Sequence, residues 1–438
     1  MERLVPLTVA QRRQWELMRD NGHGFGWLAT SVRLDERVPA PAVARGIHRL
    51  FEMHEALRAR VLDDDGEPRQ VVLDLDVDMI ESRTVELDSD AELDDAQLAG
   101  IARRAASSVL DNSCCLVISQ QRQGTVVCLT VHHLFADAAA LSILADDLRE
   151  LLSVDNADIK SPAAQLSDIP TPRLRAIEGP ALSDWQDRLG EAAGGSPFSF
   201  LPNYQELPHS GSQAVLTPDL TSRLVSSCRR ARMSLPGALN AALGLLLQAY
   251  EPASAPIIQT VVANRGSRAE AAVVANLSNS SYIIPRSGAA NVADRLSAFW
   301  QGHLEAVHHG WFDRIALDHE LRKASTPNRY VGDISAISNI GLPPTATNLP
   351  SDRQVDGYQI TRVDRLQPPV DACRSSNTHL HVFADFAGEG LTLRVYTSSA
   401  LSGHRDPEAV CADLMRCVEA IIAGRDLPLS GLRVDRLT

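Results

Sequence analysis

The chain has 438 residues, of which 44% are hydrophobic and 22% are charged, and its formal net charge at pH 7 is −13. A chain of this length and composition buries a large core and is long enough for two or three domains. The excess of acidic residues argues against nucleic acid and anionic membranes as partners, because binding to either needs a basic face.

The first half of the chain alternates helical and strand periodicities, which is the pattern of an α/β sandwich lobe. In chain order, the apolar spacing predicts a helix at 9–19, a strand at 27–34, a helix that ends at residue 60, a strand at 70–73, a helix at 91–110, strands at 115–120 and 125–131, and a helix from about residue 137. From Ser153 to Pro180 the periodicity is lost and Pro, Ser and Asp become frequent, which indicates a linker.

The second half continues in the same style. Thr217, Ser234 and Asp406 stand just before helical patterns and are residue types favoured at helix N-caps. The predicted helices are 218–232, 236–250, 293–308 and 407–423, and the predicted strands are 257–263, 334–338, 379–383 and 391–396. The sequence therefore predicts an N-terminal domain at 1–165 and a C-terminal domain at 180–438.

A histidine pair stands out at the end of the strand predicted at 125–131. The sequence VHHLFADAAALSILADDL begins at Val131, so that His132 and His133 close the strand and Asp137 follows four residues after the second His. Asp137 is also well placed to cap the next helix, since Asp is favoured at that position. In α/β folds the carboxyl ends of strands are where ligands and chemistry usually lie.

Three interpretations of the pair follow from the residues alone. In the first, both imidazoles are structural. In the second, His132 or His133 binds a metal with Asp137, although no third or fourth ligand stands at a recognisable spacing. In the third, one imidazole is a general base, a role suited to a group with an ordinary pKa of about 6.5, and Asp137 braces the loop through a buried ion pair.

The segment HHLFADA resembles the His-His-x-x-x-Asp-Gly signature of the condensation-domain superfamily, with Ala138 in place of Gly. That superfamily includes condensation domains of nonribosomal peptide synthetases, polyketide-associated acyltransferases and, more distantly, chloramphenicol acetyltransferase. Further segments resemble the family's landmarks in the same order along the chain. They are PLTVAQRRQWEL at 6–17, LFEMHEALRARV at 50–61, SDWQDRLG at 183–190, VVANRGSRAEAAVVANLSNSSYIIPR at 261–286 and ISNIG at 337–341.

The resemblance implies two α/β sandwich lobes like chloramphenicol acetyltransferase, which form a V with a central cleft or tunnel. The lobe at 1–165 would carry the His motif. The lobe at 180–438 would carry the Asn-Arg block at 261–286, the SNIG segment and, within 342–377, the crossover between lobes. No metal is implied, and the donor brings its own phosphopantetheine or coenzyme A.

The resemblance also implies roles for individual residues. His133 would be the general base, facing the junction of two opposing tunnels, and His132 would be structural. Asp137 would pair with Arg265, with Arg286 as the second choice.

The resemblance also bears on five further positions. At Ala138 the family's Gly permits positive φ, and a main-chain N–H nearby is the expected oxyanion donor. Ala275 and Asn276 stand where the family often has Gly and Phe. The candidates for contact with donor or acceptor are Asn276, Ser338 and Asn339.

The implied activity is that of a free-standing acyltransferase or condensation enzyme in bacterial secondary metabolism. It would move an acyl or aminoacyl group from a carrier-protein or coenzyme A thioester to an amine or hydroxyl. Two alternatives stay open: a catalytically altered protein that recognises a carrier and recruits a partner, and an isomerising or cyclising relative. The residues leave open the identity of donor and acceptor, amide versus ester formation, and the oligomeric state.

The cysteines and the amino terminus predict a cytoplasmic protein. The number of cysteines is odd and no Cys-x-x-Cys pair is present, which favours free buried thiols in a reducing compartment. They are Cys114, Cys115, Cys128, Cys228, Cys373, Cys411 and Cys417. The opening MERLVPLTVAQRR has no continuous apolar core, unlike a signal peptide, and the most apolar helix, predicted at 238–250, is too short to span a bilayer.

Overall fold

The structure is a computed structural model. It describes residues 3–21, 26–64, 67–88, 92–106, 112–122, 124–153, 164–169, 180–192, 195–198, 200–201, 209–285, 291–324, 334–340, 358–363, 378–387, 390–424, 428–432 and 434–437.

The chain divides into two compact units. The first unit comprises Met1–Ile177 and Ala263–Asn279, and the second comprises Glu178–Val262 and Ser280–Thr438. The sequence prediction had assigned the Asn-Arg block to the C-terminal domain, whereas the structure groups 263–279 with the N-terminal unit. The physical reason is a set of hydrogen bonds from this segment to the histidine motif, described below.

The first unit contains seven strands and several helices among its described residues. The strands are β1 (Arg3–Val5), β2 (Trp27–Leu34), β3 (Ala59–Asp64), β4 (Glu67–Val72), β5 (Thr84–Asp88), β6 (Cys114–Gln121) and β7 (Gly124–His132). The helices are α1 (Val9–Asn21), α2 (Ala40–Met53), α3 (Val77–Ser82), α4 (Asp95–Ala105), α5 (Ala138–Ser153) and the short helix Arg268–Ala272, with 3₁₀ turns at Glu55–Arg58 and Leu166–Asp168.

The strand that leads into the histidine pair lies inside a four-stranded sheet. The strand order is β2-β7-β6-β5, with β7 antiparallel to both neighbours and β5 parallel to β6. Every residue of β7 is buried, as the β-branched run predicted. Val127 and Leu129 belong to the core that includes α2 and α5, while Val126 and Cys128 belong to a second core with α4. A three-stranded sheet, β1-β4-β3, completes the unit.

The second unit is built on a seven-stranded mixed sheet. Its strands are β8 (His209–Leu216), β9 (Ile258–Val262), β10 (Asn279–Ile283), β11 (Ala336–Ile340), β12 (Tyr358–Val363), β13 (Leu380–Ala387) and β14 (Gly390–Ser398), in the order β10-β9-β11-β13-β14-β8-β12. Its helices are Pro180–Ala192, Pro218–Ala231, Leu235–Tyr250, Val292–His308, Arg314–Ala324, Ser399–Ser402 and Pro407–Ala423, with a 3₁₀ turn at Leu429–Leu432.

The apolar helix Leu235–Tyr250 lies at the centre of this second unit. It is buried from Gly237 to its end and packs against the helices Val292–His308 and Pro407–Ala423. A β-carbon on Gly244 would lie only 2.4 Å from the ring of Phe299, so the absence of a side chain permits this close approach. The helix predicted at 236–250 therefore forms part of the core of the second unit.

One predicted helix was wrong at its end. The helix expected to reach residue 60 ends at Met53 and is followed by a 3₁₀ turn and by β3. His54 has extended backbone dihedrals, and its Nε2 lies 2.7 Å from Asp147 of α5. This contact ties the end of α2 to a distant helix, and local apolar spacing does not encode it.

Several predicted features fall partly outside the described residues. The linker at 153–180 is described only at Ser153, 164–169 and Pro180, and the proposed crossover at 342–377 only at 358–363. Those six residues form β12, which pairs with β8 in the second unit. Six cysteines are free and buried, as predicted, and Cys373 lies outside the described residues.

Candidate active site

His132 is the last residue of β7 and is fully buried. Its Nδ1 accepts a hydrogen bond from the main-chain N–H of Leu134 at 3.1 Å, and its ring packs edge-on against Trp27 with the centroids 5.1 Å apart. An Nδ1 that accepts a hydrogen bond carries no proton, which fixes the neutral tautomer with the proton on Nε2. His132 is thus a packed and hydrogen-bonded residue.

His133 is half-buried and is held in a different way. Its Nδ1 lies 2.8 Å from the carbonyl oxygen of Ala136, and because a carbonyl only accepts, Nδ1 carries the proton and donates. In the neutral ring Nε2 is then left with a lone pair. Within the described part of the chain, this nitrogen has no hydrogen-bond partner.

The backbone of His133 is fixed on both sides. Its N–H donates to the carbonyl of Gly26 at 2.7 Å, and its own carbonyl accepts from the side-chain Nδ2 of Asn276 at 2.7 Å. Gly26 has φ +97°, and a β-carbon there would lie 2.5 Å from Nε2 of Gln14. Only glycine suits this position without strain.

Asp137 closes the turn and caps α5. Its Oδ1 accepts from the N–H of Ala140 at 2.9 Å, which is the predicted N-cap geometry, and its Oδ2 accepts from the N–H of Leu277 at 3.0 Å. Nη2 of Arg265 lies 2.8 Å from Oδ1, and the two side chains are 3% and 8% exposed. The structure thus contains an ion pair between Asp137 and Arg265, the two residues that the resemblance paired, and it is buried.

Arg265 organises its own segment as well. Nη1 donates to the carbonyls of Glu270 and Val273 at 2.6 and 2.8 Å, and Nη2 donates to that of Ala275 at 3.0 Å. The short helix Arg268–Ala272 begins with a capping box between Ser267 and Glu270, which a sequence of the form Ser-x-x-Glu favours. Arg286, the second choice for the pair, lies outside the described residues.

The other predicted site residues are placed as follows. Ala138 is exposed at the start of α5, and among the described residues positive φ outside glycine occurs only at Arg232 and Asn264, so Ala138 is unstrained. Ser338 and Asn339 lie on β11 of the second unit. Ser338 is fully buried, and within the described ranges its hydroxyl has no hydrogen-bond partner.

The structure thus brings His132, His133, Asp137, Arg265 and Asn276 together in the first unit, while the two SNIG residues belong to the second unit. Sequence reasoning missed two residues that shape the histidine turn. Gly26 was signalled by the glycine-rich stretch 22–26 before β2. Thr8 lies within the PLT segment, and its hydroxyl donates to the carbonyl of Asn276 at 2.9 Å.

The described residues contain no group of three or more His, Cys, Asp or Glu side chains that could hold a metal ion. Likewise, none of the described helices is both long enough and apolar enough to cross a membrane.

Residues 1–167 match the family model called Condensation domain. This match covers the segment that carries the histidine motif, and it agrees with the resemblance of HHLFADA to the condensation-domain signature. Among curated proteins, it is 26% identical over 372 residues to a linear gramicidin synthase of Brevibacillus parabrevis, and the match covers 78% of this chain and 5% of that protein. It is 28% identical over 256 residues to phosphinothricin tripeptide synthetase PhsC of Streptomyces viridochromogenes, and the match covers 55% of this chain and 22% of that protein. The chain therefore spans only a small part of the length of these relatives.

Several solved structures share the fold. The first condensation domain of the calcium-dependent antibiotic (CDA) synthetase matches with a TM-score of 0.70 at 15% identity, over 100% of this chain and 99% of that one. SgcC5 from Streptomyces globisporus matches with a TM-score of 0.65 at 16% identity, over 97% of this chain and 100% of that one. The X-domain from teicoplanin biosynthesis, solved in complex with OxyB, matches with a TM-score of 0.67 at 16% identity, over 99% of this chain and 96% of that one. These likenesses confirm the predicted α/β fold class.

Proposed function

We propose that this condensation-domain protein transfers an acyl or aminoacyl group from a thioester to an amine or hydroxyl, with His133 as the general base. The observation that supports this role most directly is the state of the imidazole. Nδ1–H donates to the carbonyl of Ala136, so Nε2 offers a lone pair and is engaged by no other described residue. A base held in one orientation and one tautomer is prepared to accept a proton.

The proposed step balances without a further reagent. Nε2 of His133 removes the proton from the acceptor's nitrogen or oxygen as that atom attacks the thioester carbonyl. The tetrahedral intermediate then collapses, the bond between carbon and sulfur breaks, and the imidazolium returns its proton to the leaving thiolate. The products are the amide or ester and the free thiol. The thiol belongs to phosphopantetheine on a carrier protein or to coenzyme A. The donor substrate therefore brings this group with it, and the protein needs no separate cofactor for the step.

Asp137 and Arg265 support the turn and take no part in the proton transfer. Both oxygens of the carboxylate accept from Arg265 or from main-chain N–H groups, and the ring of His133 bonds to Ala136 instead. We therefore assign to the ion pair the task of holding the start of α5 against the 263–279 segment. This keeps the backbone that carries His133 in one place.

A second candidate function is recruitment without catalysis. The X-domain shares this fold and was solved as a complex with another protein, OxyB. Ala138, in place of the motif's Gly, is the feature of this chain that favours such an altered role. Against it, Ala138 is unstrained, and His133 has its hydrogen bonds to Ala136 and Asn276 despite the substitution.

The deciding experiment offers the protein carrier-bound and coenzyme A-bound acyl donors with a panel of primary amines and alcohols, and reads the products by mass. Transfer predicts a product whose mass is that of the acceptor plus the acyl group. A product of unchanged mass indicates isomerisation and overturns the proposal. A carrier that binds the protein and is never deacylated by any acceptor supports the recruitment role instead.

The matched variants are His133→Ala and His319→Ala, since His319 is an exposed histidine on the helix Arg314–Ala324. General-base assistance is worth about 10²–10⁴-fold, so His133→Ala loses activity on that scale with an alcohol acceptor and His319→Ala does not. An α-amine at pH 8 is already about half deprotonated and depends less on a base, so it loses less. Equal rates for wild type and His133→Ala with every acceptor contradict the base assignment.

A further inference from the structure

We infer that Asn276 is the positioning residue for His133, an assignment that rests on the proposed function. The sequence marked Asn276 as a contact for donor or acceptor. In the structure it is only 2% exposed, and its amide Nδ2 donates to the main-chain carbonyl of His133 at 2.7 Å. The two residues are 143 positions apart in the chain.

Three hydrogen bonds to described residues hold His133, and in one of them the partner is a side chain, that of Asn276. The other two are main-chain acceptors: the carbonyl of Gly26 receives the N–H of His133, and the carbonyl of Ala136 receives Nδ1–H. The first of these fixes the strand end and the second fixes the ring. The bond from Asn276 fixes the carbonyl that begins the turn into α5, so it sets where the turn leaves β7.

The orientation of the Asn276 amide is itself determined. The carbonyl oxygen of His133 only accepts, so the amide atom that faces it is Nδ2, and Oδ1 accepts from the hydroxyl of Ser278 at 3.0 Å. A buried amide with both ends bonded does not rotate freely. The residue thus presents a fixed donor to the turn.

Asn276 is also anchored through its main chain. Its carbonyl accepts from the hydroxyl of Thr8 at 2.9 Å, and Thr8 begins α1 in a reciprocal pair of bonds with Gln11 of 2.9 and 3.0 Å. The next residue, Leu277, donates its N–H to Asp137 at 3.0 Å. Residues 276 and 277 therefore bind the two ends of the turn from 133 to 137, and the start of α1 supports them.

This arrangement predicts a loss of rate with little change in substrate binding. A displacement of about 1 Å at a reacting group lowers the rate by about 10²-fold. Asn276→Asp is nearly isosteric and keeps the acceptor for Ser278, but it replaces the donor with an oxygen that repels the carbonyl of His133. We expect kcat to fall by about 10–100-fold and KM to change by less than about threefold.

The matched control is Ser281→Ala, which removes a buried hydrogen bond of 2.8 Å to the carbonyl of Ala306 and leaves every bond of Asn276 and His133 in place. Both variants are compared by thermal unfolding, so that a loss of fold is seen directly. The control should keep kcat within about threefold of wild type. Equal kcat in Asn276→Asp and Ser281→Ala, both folded, overturns the inference.

A second readout needs no substrate. Long-range ¹H–¹⁵N correlation spectra report which ring nitrogen of His133 carries the proton. Wild type and Ser281→Ala should show a protonated Nδ1 and a bare Nε2, while Asn276→Asp should show a mixture of tautomers. An unchanged spectrum in Asn276→Asp contradicts the positioning role. The proposed function fails separately, if His133→Ala retains the full rate of transfer.

Discussion

The buried ion pair between Asp137 and Arg265 allows a quantitative prediction. Asp137→Ala leaves the guanidinium of Arg265 buried with carbonyl partners only, and it also removes the N-cap of α5. Breaking a buried pair costs about 3–5 kcal/mol and losing a cap about 1 kcal/mol. We therefore expect Asp137→Ala to lower the free energy of unfolding by about 4 kcal/mol or more.

Arg265→Ala leaves the carboxylate of Asp137 with two main-chain N–H donors and releases three carbonyls of the 263–279 segment. The expected loss is about 3–5 kcal/mol. Arg265→Lys keeps the charge but not the planar fork that reaches several acceptors, so its loss is intermediate.

The double variant separates the pair from its surroundings. With both charges removed, neither is left buried and unpaired, so the double variant should be more stable than the sum of the single losses predicts, by about 2–3 kcal/mol. Urea unfolding followed by far-UV circular dichroism gives all four free energies. Strictly additive losses, or single variants within about 1 kcal/mol of wild type, would refute the reasoning, because an exposed pair behaves in that way.

Three further predictions concern the rest of the molecule. Gly26→Ala forces a β-carbon into positive φ and toward Gln14, so the variant should unfold with a free energy lower by about 1–2 kcal/mol or more; an unchanged melting temperature speaks against this geometry. Burial lowers the pKa of His303 to about 4, whereas in the unfolded chain a histidine titrates near 6.5. As the pH falls, the unfolded state therefore binds the proton first. The stability present above pH 6.5 is lost as the pH falls to about 4, by at most about 3 kcal/mol. When the midpoint of urea unfolding is plotted against pH, His303→Gln should flatten this part of the curve, and a curve identical to that of wild type would show that His303 is not responsible. Burial raises the pKa of Cys115 and of Cys411 to about 12, so iodoacetamide at pH 8 should alkylate neither thiol until the protein is denatured, as read by peptide mass; rapid labelling of the native protein contradicts their burial.

Local signals in the sequence were sufficient for much of the fold. Thr217, Ser234 and Asp406 each cap the helix predicted after them, because a cap is a hydrogen bond within one turn. The strand before the histidine pair and the core helix Leu235–Tyr250 were found because burial on all sides requires continuous apolar sequence.

The elements that the sequence missed have mixed or polar sequences. β8 and β12, HSGSQAVL and YQITRV, pair with each other, and β12 lies at the edge of the sheet. Strands of this kind lack the continuous apolar run of a central strand. Periodicity therefore identified the centres of the sheets better than their edges.

The site was predictable where it depended on the motif and not where it depended on tertiary contacts. The pair Asp137–Arg265 was expected from the resemblance, and the structure contains it. The roles of Gly26 and Asn276 could not be read from spacing, because each reaches His133 across more than a hundred residues. Gly26 does so through its main-chain carbonyl and Asn276 through its side-chain amide. The same contacts explain why 263–279 joins the N-terminal unit.

In the proposed reaction, Nε2 of His133 removes the acceptor's proton during acyl transfer. The most direct test of this step is the single-turnover rate of transfer from a loaded donor to an alcohol, measured for wild type, His133→Ala and His319→Ala at one pH. We predict that His133→Ala is slower by about 10²–10⁴-fold while His319→Ala matches wild type. A His133→Ala rate equal to that of wild type contradicts the role of His133 as the base.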